Sequence, residues 1–142
     1  MKIADKNNQE FESFLKYSEE IGLDNSMVQA AGGNTSIKIG DNMWVKASGK
    51  WLINSKSEEI MVPISIARIK DVLQKDNCND TDIVNCINRE LSSNEFRPSV
   101  EAPMHAILDF KYVFHTHDLN VNALTVQKNS QLMFEKALNG LN

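Results

Sequence analysis

The sequence predicts an α/β domain, layered α/β/α, with a mixed and largely antiparallel central sheet. Amphipathic helical stripes and short alternating strands intermix along the chain, and a hairpin pattern lies near residues 36–47. Intermixed strands and helices are typical of domains in which helices cover a sheet. With 142 residues, of which 42% are hydrophobic and 24% charged, the chain is long enough and apolar enough for one domain with its own core, spanning residues 1–142.

The first half of the chain combines a helix with a hairpin. Residues 8–22 form an amphipathic helical pattern, whose apolar stripe consists of Phe11, Phe14, Leu15 and Ile21. Alternation over residues 36–39 and 43–47, joined by a Gly40-Asp41-Asn42 turn, predicts two antiparallel strands. Residues 60–63 predict a further short strand, which Pro63 places at a sheet edge or a strand end because proline cannot donate to the ladder.

The second half is mainly helical. A stripe over residues 66–75 predicts one helix, and Thr81 can cap a second helix that continues to Leu91. Pro98 and Ser99 open a third helix, whose predicted buried stripe consists of Met104, Ile107 and Leu108.

The remainder of the chain holds one strand and two helices. Residues 112–117 alternate aromatic and β-branched residues with histidines, which predicts a short buried strand. Residues 118–127 and 132–138 predict two final helices, and Gly140 can stop the second.

Two small polar turns lie at the same end of the predicted hairpin. One is Gly32-Gly33-Asn34-Thr35-Ser36, which begins the first strand, and the other is Ser48-Gly49, which ends the second. Antiparallel pairing brings them to one edge, where backbone N–H groups, an amide and hydroxyls form a suitable cradle for an anion. Two ordinary turns are the alternative, which this segment by itself favours.

All three histidines lie between residues 98 and 125, and a glutamate lies with them. His115 and His117 project to the same face of a strand, roughly 6.6 Å apart at the backbone, so both can reach one metal ion at about 2.0–2.1 Å. Solvated polar residues at a strand end are the alternative, and a catalytic zinc needs a third protein ligand. Glu101 and His105 are four apart and share a helix face.

Together these motifs resemble the class II aldolase/adducin family. G-G-N-T-S, K-A-S-G, P-S-x-E-x-x-x-H and H-x-H follow one another in the family's order, within residues 8–138. Within that family, the chain resembles the N-terminal part of the bacterial zinc-dependent fuculose- and rhamnulose-phosphate aldolases. The resemblance implies retro-aldol cleavage of a small phosphorylated sugar, with one zinc ion per site as the Lewis acid that stabilises an enediolate. It also implies a homo-oligomer.

The same resemblance implies residue roles. Phosphate contacts are implied at Gly33, Asn34, Ser48, Gly49 and Ser99. Glu101 is implied as the catalytic acid/base, and His115 and His117 as two of three zinc ligands. For His105 it implies a structural or supporting role behind the metal ligands.

Two positions depart from the family pattern. Aldolases of the family supply a third zinc histidine from the C-terminal half of the domain, whereas this sequence has no histidine after His117. Val100 stands where the phosphate loop often carries a second hydroxyl residue. We therefore expect a truncated domain, whose missing part would leave apolar surface exposed.

Other functional classes remain open or are disfavoured. A non-catalytic adducin-like module and a same-family epimerase or dehydratase remain alternatives. A cupin-type metal barrel is disfavoured by the helical stripes. A net charge of −4 without a basic patch disfavours nucleic-acid binding. The sequence also lacks a signal-peptide core or an apolar run of membrane-spanning length. Cys78 and Cys86 form no disulfide framework, so a cytoplasmic location is expected.

Overall fold

The computed structural model describes residues 8–92 and 94–139. The elements in chain order are α1 (Asn8–Leu23), β1 (Asn34–Ile39), β2 (Asn42–Lys46), a 3₁₀ turn (Leu52–Asn54), β3 (Met61–Ser65), α2 (Ile66–Val72), α3 (Asp80–Val84), α4 (Ala102–Ile107), β4 (Tyr112–His115), α5 (Leu119–Thr125) and α6 (Ser130–Leu138). The predicted alternation of strands and helices is confirmed.

The four strands form one sheet in the order β3-β2-β1-β4. The three strand pairs are antiparallel, with Ile37 of β1 opposite Trp44 of β2 and Tyr112 of β4. Pro63 lies opposite Trp44 in β3, which is an edge strand as predicted. The hairpin therefore forms the centre of the sheet, and the histidine-bearing strand forms the other edge.

Helices cover both faces of this sheet. On one face, Phe11 and Phe14 of α1 pack against Ile37 and Trp44, and the rings of Phe11 and Trp44 lie 5.9 Å apart. On the other face, three strand residues form a second cluster with α2, α3 and α4, namely Met43, Val45 and Ile64. Because neighbouring residues of a strand point to opposite faces, Trp44 enters one cluster while Met43 and Val45 enter the other. The α/β/α layering is confirmed.

Helix α3 differs from its prediction at both ends. Asn79, not Thr81, is the N-cap, because its side chain accepts from the backbone N–H groups of Thr81 and Asp82 while Asp82 accepts from the Asn79 N–H. This reciprocal capping box starts the helix earlier. The helix ends at Val84, and Ile87 instead forms an isolated bridge with Ile64 of β3. The predicted continuation to Leu91 is therefore wrong.

Helix α4 buries a different face from the one predicted. Met104, Ile107 and Leu108 are 39%, 59% and 37% exposed, whereas Ala102, His105 and Ala106 are buried. Two small alanines let α4 approach the sheet closely, and the larger apolar residues stay outside the contact. The predicted stripe is wrong because its apolar residues do not face the sheet.

The end of the described chain is more exposed than predicted. In β4 only Val113 is buried, and the strand ends at His115 instead of continuing to His117. Helix α5 starts where predicted, because the Asp118 side chain accepts from the N–H groups of Asn120 and Val121. Neither α5 nor α6 buries a residue. The predicted stop at Gly140 lies outside the described residues.

Two further observations bear on the class of protein. Within residues 8–92 and 94–139, no helix combines the length and the hydropathy needed to cross a bilayer. Cys78 is exposed, Cys86 is buried, and both are free thiols.

Candidate metal and anion site

Three metal-ligating side chains converge at the end of the sheet. One ligand atom from each of Glu101, His115 and His117 can be chosen so that all three lie within 4.8 Å of one another. Glu101 is the residue before α4, His115 ends β4, and His117 follows two residues later. All three side chains are half-buried. Glu101, the predicted acid/base, thus lies close to the predicted histidine pair.

The backbone around the histidines holds them in place. In the β1–β4 register, His115 lies opposite Asn34. The N–H of His117 donates to the Met27 carbonyl at 2.7 Å, and its own carbonyl accepts from Gln29 Nε2 at 3.2 Å. The loop after α1 therefore fixes His117 beyond the end of β4. The two imidazole rings lie 5.0 Å apart between centroids and are inclined by 64°.

The donor set fits a divalent cation. Glu101 Oε1 lies 3.1 Å from His115 Nδ1, yet the ring atom makes no hydrogen bond with proper geometry to any described residue. Glu101 Oε2 is also buried and makes no hydrogen bond of proper geometry with these residues, although the Asn34 side chain lies near enough to lower the pKa of Glu101. Ligands at 2.0–2.1 Å from a tetrahedral zinc lie about 3.3–3.4 Å apart. The Glu101 Oε1 to His115 Nδ1 distance of 3.1 Å is close to this value, and the three ligand atoms lie within 4.8 Å of one another. Since buried polar atoms are normally paired, their lack of partners here favours a bound ion.

The two polar turns meet at the same edge, as predicted. Antiparallel pairing places the start of β1 at Asn34 beside the end of β2 at Lys46. Gly33 has a φ of +66°, and a Cβ there would lie 2.3 Å from Val28 Cγ1. Both side-chain polar atoms of Asn34 are buried without a partner among the described residues. The Asn34 side chain nevertheless lies near enough to Glu101 to lower the pKa of that carboxylate, so the turn adjoins the metal-ligating group.

The loop before Glu101 joins this edge through backbone contacts. The N–H of Ser99 donates to the Lys46 carbonyl at 3.0 Å, and the N–H of Ser48 donates to the Arg97 carbonyl at 2.9 Å. The Ser99 hydroxyl accepts from the Glu101 N–H at 3.3 Å. Ser48 and Ser99 line one cavity of about 240 Å³, together with Arg97 and Val100. The structure thus brings the second turn and the serine loop together.

Lys46 also lies at this edge of the sheet, although the sequence motifs did not identify it as a site residue. It is 2% exposed, and its Nζ donates to the carbonyls of Ala31 at 2.9 Å and Lys50 at 2.7 Å. It therefore connects the two polar turns. Burial lowers the pKa of Lys46, and the Glu101 charge acts in the opposite direction. The sequence did carry a signal for the burial of Lys46. In strand β2 it lies two residues after the buried Trp44, and residues two apart in a strand point to the same face.

His105 lies behind the metal-ligating group. It is fully buried, and its Nδ1 lies 2.8 Å from the Ser36 hydroxyl of β1. Burial lowers the pKa of His105 to about 4, although the Glu101 charge raises it, so the imidazole is neutral at physiological pH. Burial raises the pKa of Glu101, but its polar neighbours, His115 foremost, lower it by more in total. Glu101 is therefore ionised at neutral pH.

Comparison with known proteins identifies the family and the fold. The sequence profile described as "Class II Aldolase and Adducin N-terminal domain" matches residues 12–139. The chain belongs to the class II aldolase and adducin family. The match runs from α1 to α6, so the metal-ligating group and the polar turns both lie within the matched region.

Two relatives place this class II aldolase domain among known proteins. A solved structure described as the N-terminal class II aldolase domain of a conserved protein from Thermoplasma acidophilum superposes with a TM-score of 0.72. The two chains are 24% identical, and the superposition covers 97% of this chain and 67% of the Thermoplasma chain. The superposition establishes the fold. A curated protein of Bacillus subtilis (strain 168), named "Uncharacterized oxidoreductase YuxG", is 31% identical over 116 residues. That match covers 75% of this chain and 17% of the Bacillus protein.

Proposed function

We propose that this class II aldolase domain is an aldehyde-lyase-type domain that cleaves a phosphorylated sugar in a zinc-dependent retro-aldol reaction. The observation that carries the proposal is the convergence of Glu101, His115 and His117 beside the two polar turns. A carboxylate and two imidazoles suit zinc. The adjacent turns supply neutral donors of the kind that bind phosphate.

Each ligating residue has a distinct part in this proposal. His115 and His117 hold the ion, which when bound supplies a Lewis acid for the charge that develops on the sugar oxygens. Glu101 moves the proton, because a carboxylate that is ionised at neutral pH can act as a general base. Without substrate, Glu101 can serve as a third ligand, since Oε1 already lies beside His115.

The substrate phosphate is assigned to the sheet edge next to the metal. Neutral donors come from the predicted set Gly33, Asn34, Ser48, Gly49 and Ser99. Lys46 adds a buried positive charge that connects both turns. A local charge is important because the whole chain carries a net charge of −4 and does not attract anions by its overall field.

The proposal includes a homo-oligomer, because two histidines and one glutamate leave the zinc site without a dedicated third histidine. The sequence has no histidine after His117, so a further ligand would come from another copy of the chain or from residues beyond it. The chain spans 17% of the Bacillus relative, so the oxidoreductase activity in that protein's name is not transferred to this domain.

The test combines metal content with a cleavage assay on ketose phosphates. We expect about one zinc per chain by elemental analysis, lost in His117→Ala. We expect Glu101→Gln to reduce cleavage by about 10²–10⁴-fold, as for a lost general base. Asp109→Asn is the control, because Asp109 is an exposed carboxylate paired with Lys70 at 3.2 Å. A wild-type protein without zinc above background would contradict the proposal.

A non-catalytic adducin-like module is the second candidate, favoured by the absence of a third histidine in this sequence. A chain that assembles normally but binds neither zinc nor a sugar phosphate would support this candidate. A same-family epimerase or dehydratase would retain zinc and give an isomerised or dehydrated product instead of two fragments. Analysis of the products therefore distinguishes cleavage, epimerisation and dehydration.

A further inference from the structure

One ring nitrogen of His105 is buried beside the metal-ligating group without a partner. The side chain is 0% exposed, and Nδ1 lies 2.8 Å from the Ser36 hydroxyl. Nε2 has no hydrogen-bond partner among the described residues. Buried polar atoms are seldom left unpaired, and those that are often have a functional reason.

The helix face that carries His105 also carries a buried acceptor, the Glu101 carboxylate. Glu101 lies one helical turn before His105, and the His105 N–H donates to the Glu101 carbonyl at 3.1 Å. The Glu101 carboxylate acts electrostatically on the His105 ring, and its Oε2 is buried and makes no hydrogen bond of proper geometry with the described residues, although the Asn34 side chain lies near enough to lower the pKa of Glu101. The two side chains, four residues apart, therefore share one face of the first helical turn. The unpaired oxygen and the unpaired nitrogen form no hydrogen bond with each other in this structure.

The charge of Glu101 selects between the two neutral forms of His105. A neutral imidazole carries its proton on one nitrogen and a lone pair on the other. A lone pair on Nε2 would be repelled by the nearby carboxylate, whereas an Nε2–H would be attracted to it. The Ser36 hydroxyl accommodates this choice, because it can donate to Nδ1 as readily as it can accept from it.

We propose that His105 is a positioning residue for Glu101, held by the Ser36 hydroxyl in the neutral Nε2–H form and directing that N–H toward the Glu101 carboxylate. Ser36 on β1 donates to Nδ1, and the Nε2–H acts electrostatically on the Glu101 carboxylate. The carboxylate is thereby oriented with Oε1 toward His115, at the observed 3.1 Å. The assignment of the proton stands by itself, whereas its consequence for metal binding rests on the proposed function.

The proton position can be read directly from the wild-type protein. Two-bond ¹H–¹⁵N correlation spectra of the purified chain, labelled at histidine, distinguish a protonated ring nitrogen from one with a lone pair. We expect the protonated signal of His105 on Nε2 at pH 7. In Ser36→Ala we expect a shift toward a mixture of both forms, because the hydroxyl no longer donates to Nδ1. A wild-type protein with the proton on Nδ1 would overturn the inference.

A matched pair of variants tests the consequence for the site. His105→Gln keeps an amide donor near the position of Nε2, whereas His105→Asn keeps a polar group only near Nδ1. Loss of a group that orients a metal ligand typically weakens metal binding by 10–100-fold. We therefore expect cobalt(II), titrated as a spectroscopic probe, to bind about 10–100-fold more weakly to His105→Asn and within about threefold of wild type to His105→Gln.

The two measurements separate the inference from the proposed function. Cobalt binding that is equal in the Asn and Gln variants would overturn the positioning role, even with the proton on Nε2. A wild-type protein with the proton on Nε2 that binds no cobalt would refute the metal-dependent function and leave the assignment of the His105 proton supported. The NMR measurement needs no variant, so a misfolded His105→Asn would not prevent the test.

Discussion

Glu101 Oε1 and His115 Nδ1 lie 3.1 Å apart, although one residue precedes α4 and the other ends β4. Their proximity depends on two separate attachments to β1. His115 lies opposite Asn34 in the β1–β4 register, and the α4 residue His105 contacts Ser36 in the same strand. Strand β1 is therefore the common support of the metal-ligating group. Changes in β1 or the turn before it should alter metal binding without touching a ligand.

The turn before β1 offers a stability test with a built-in control. At Gly33, where φ is +66°, a Cβ would lie 2.3 Å from Val28 Cγ1 and 3.1 Å from the His115 carbonyl. Gly33→Ala should lower the free energy of unfolding by about 2–5 kcal/mol, through left-handed strain and overpacking. Urea denaturation provides the measurement.

Gly40→Ala is the matched control for this variant. Gly40 also has a positive φ, of +55°, but no atom of the described residues lies within 4 Å of the position that a Cβ would take there. The free energy of unfolding of Gly40→Ala should therefore fall by about 1–2 kcal/mol, the cost of a left-handed backbone alone. Equal losses in the two variants would mean that the contact with Val28 is unimportant.

Lys38 fixes the connection from α4 to β4. Its Nζ donates to the carbonyls of His105 at 2.8 Å, of Phe110 at 2.9 Å and of Leu108. Lys38→Met should destabilise the protein by about 1.5–3 kcal/mol, because these carbonyls lose a charged donor. Lys70→Met, which removes only an exposed pair with Asp109, should change the unfolding free energy by less than about 0.5 kcal/mol. Comparable losses in the two lysine variants, measured by urea denaturation, would contradict a specific role for Lys38.

Lys46 should control anion binding more than metal binding. Inorganic phosphate, titrated calorimetrically, should bind about tenfold more weakly to Lys46→Met, which corresponds to about 1.4 kcal/mol. The reason is that this variant loses both the buried charge and the bonds to the Ala31 and Lys50 carbonyls. Zinc content should remain at the wild-type level.

Lys50→Met is the control for the Lys46 experiment. It removes the same charge a few residues away, where the ammonium pairs with Glu58 at 3.0 Å and lies over the Phe96 ring. Its phosphate affinity should stay close to that of wild type. If both variants weakened phosphate binding equally, the effect would come from net charge and not from the buried ammonium.

His105 should make stability dependent on pH in the mildly acidic range. Its pKa is about 4 in the folded protein and 6.5 in the unfolded chain, so the unfolded state binds more protons between these values. The free energy of unfolding should therefore rise with pH from about 4 to about 6.5, by at most about 3 kcal/mol. Urea denaturation at several pH values measures this rise. His105→Gln has no such group and should show a smaller slope, whereas an identical slope would assign the effect to other residues.

Helix and strand identities were largely predictable because they depend on local patterns. The α1 stripe, the hairpin turn, the proline edge strand and the start of α5 all appear in the structure near their predicted positions. The α4 stripe failed for a physical reason. Three large apolar residues predicted the buried face, but the residues that are buried are the small Ala102 and Ala106 together with His105. Such close packing depends on the opposing surface, which a helix's own sequence does not contain.

The sequence by itself determined the kinds of chemical group available: two histidines at strand spacing, a glutamate before a helix and two small polar turns on one hairpin. Only the tertiary structure decided which of these groups meet. It placed Glu101 with His115 and His117, buried Lys46 between the turns, and left one nitrogen of His105 unpaired behind the carboxylate. The reason is that strand register and helix docking are set by contacts between distant segments, and these contacts leave no periodic signal in the chain.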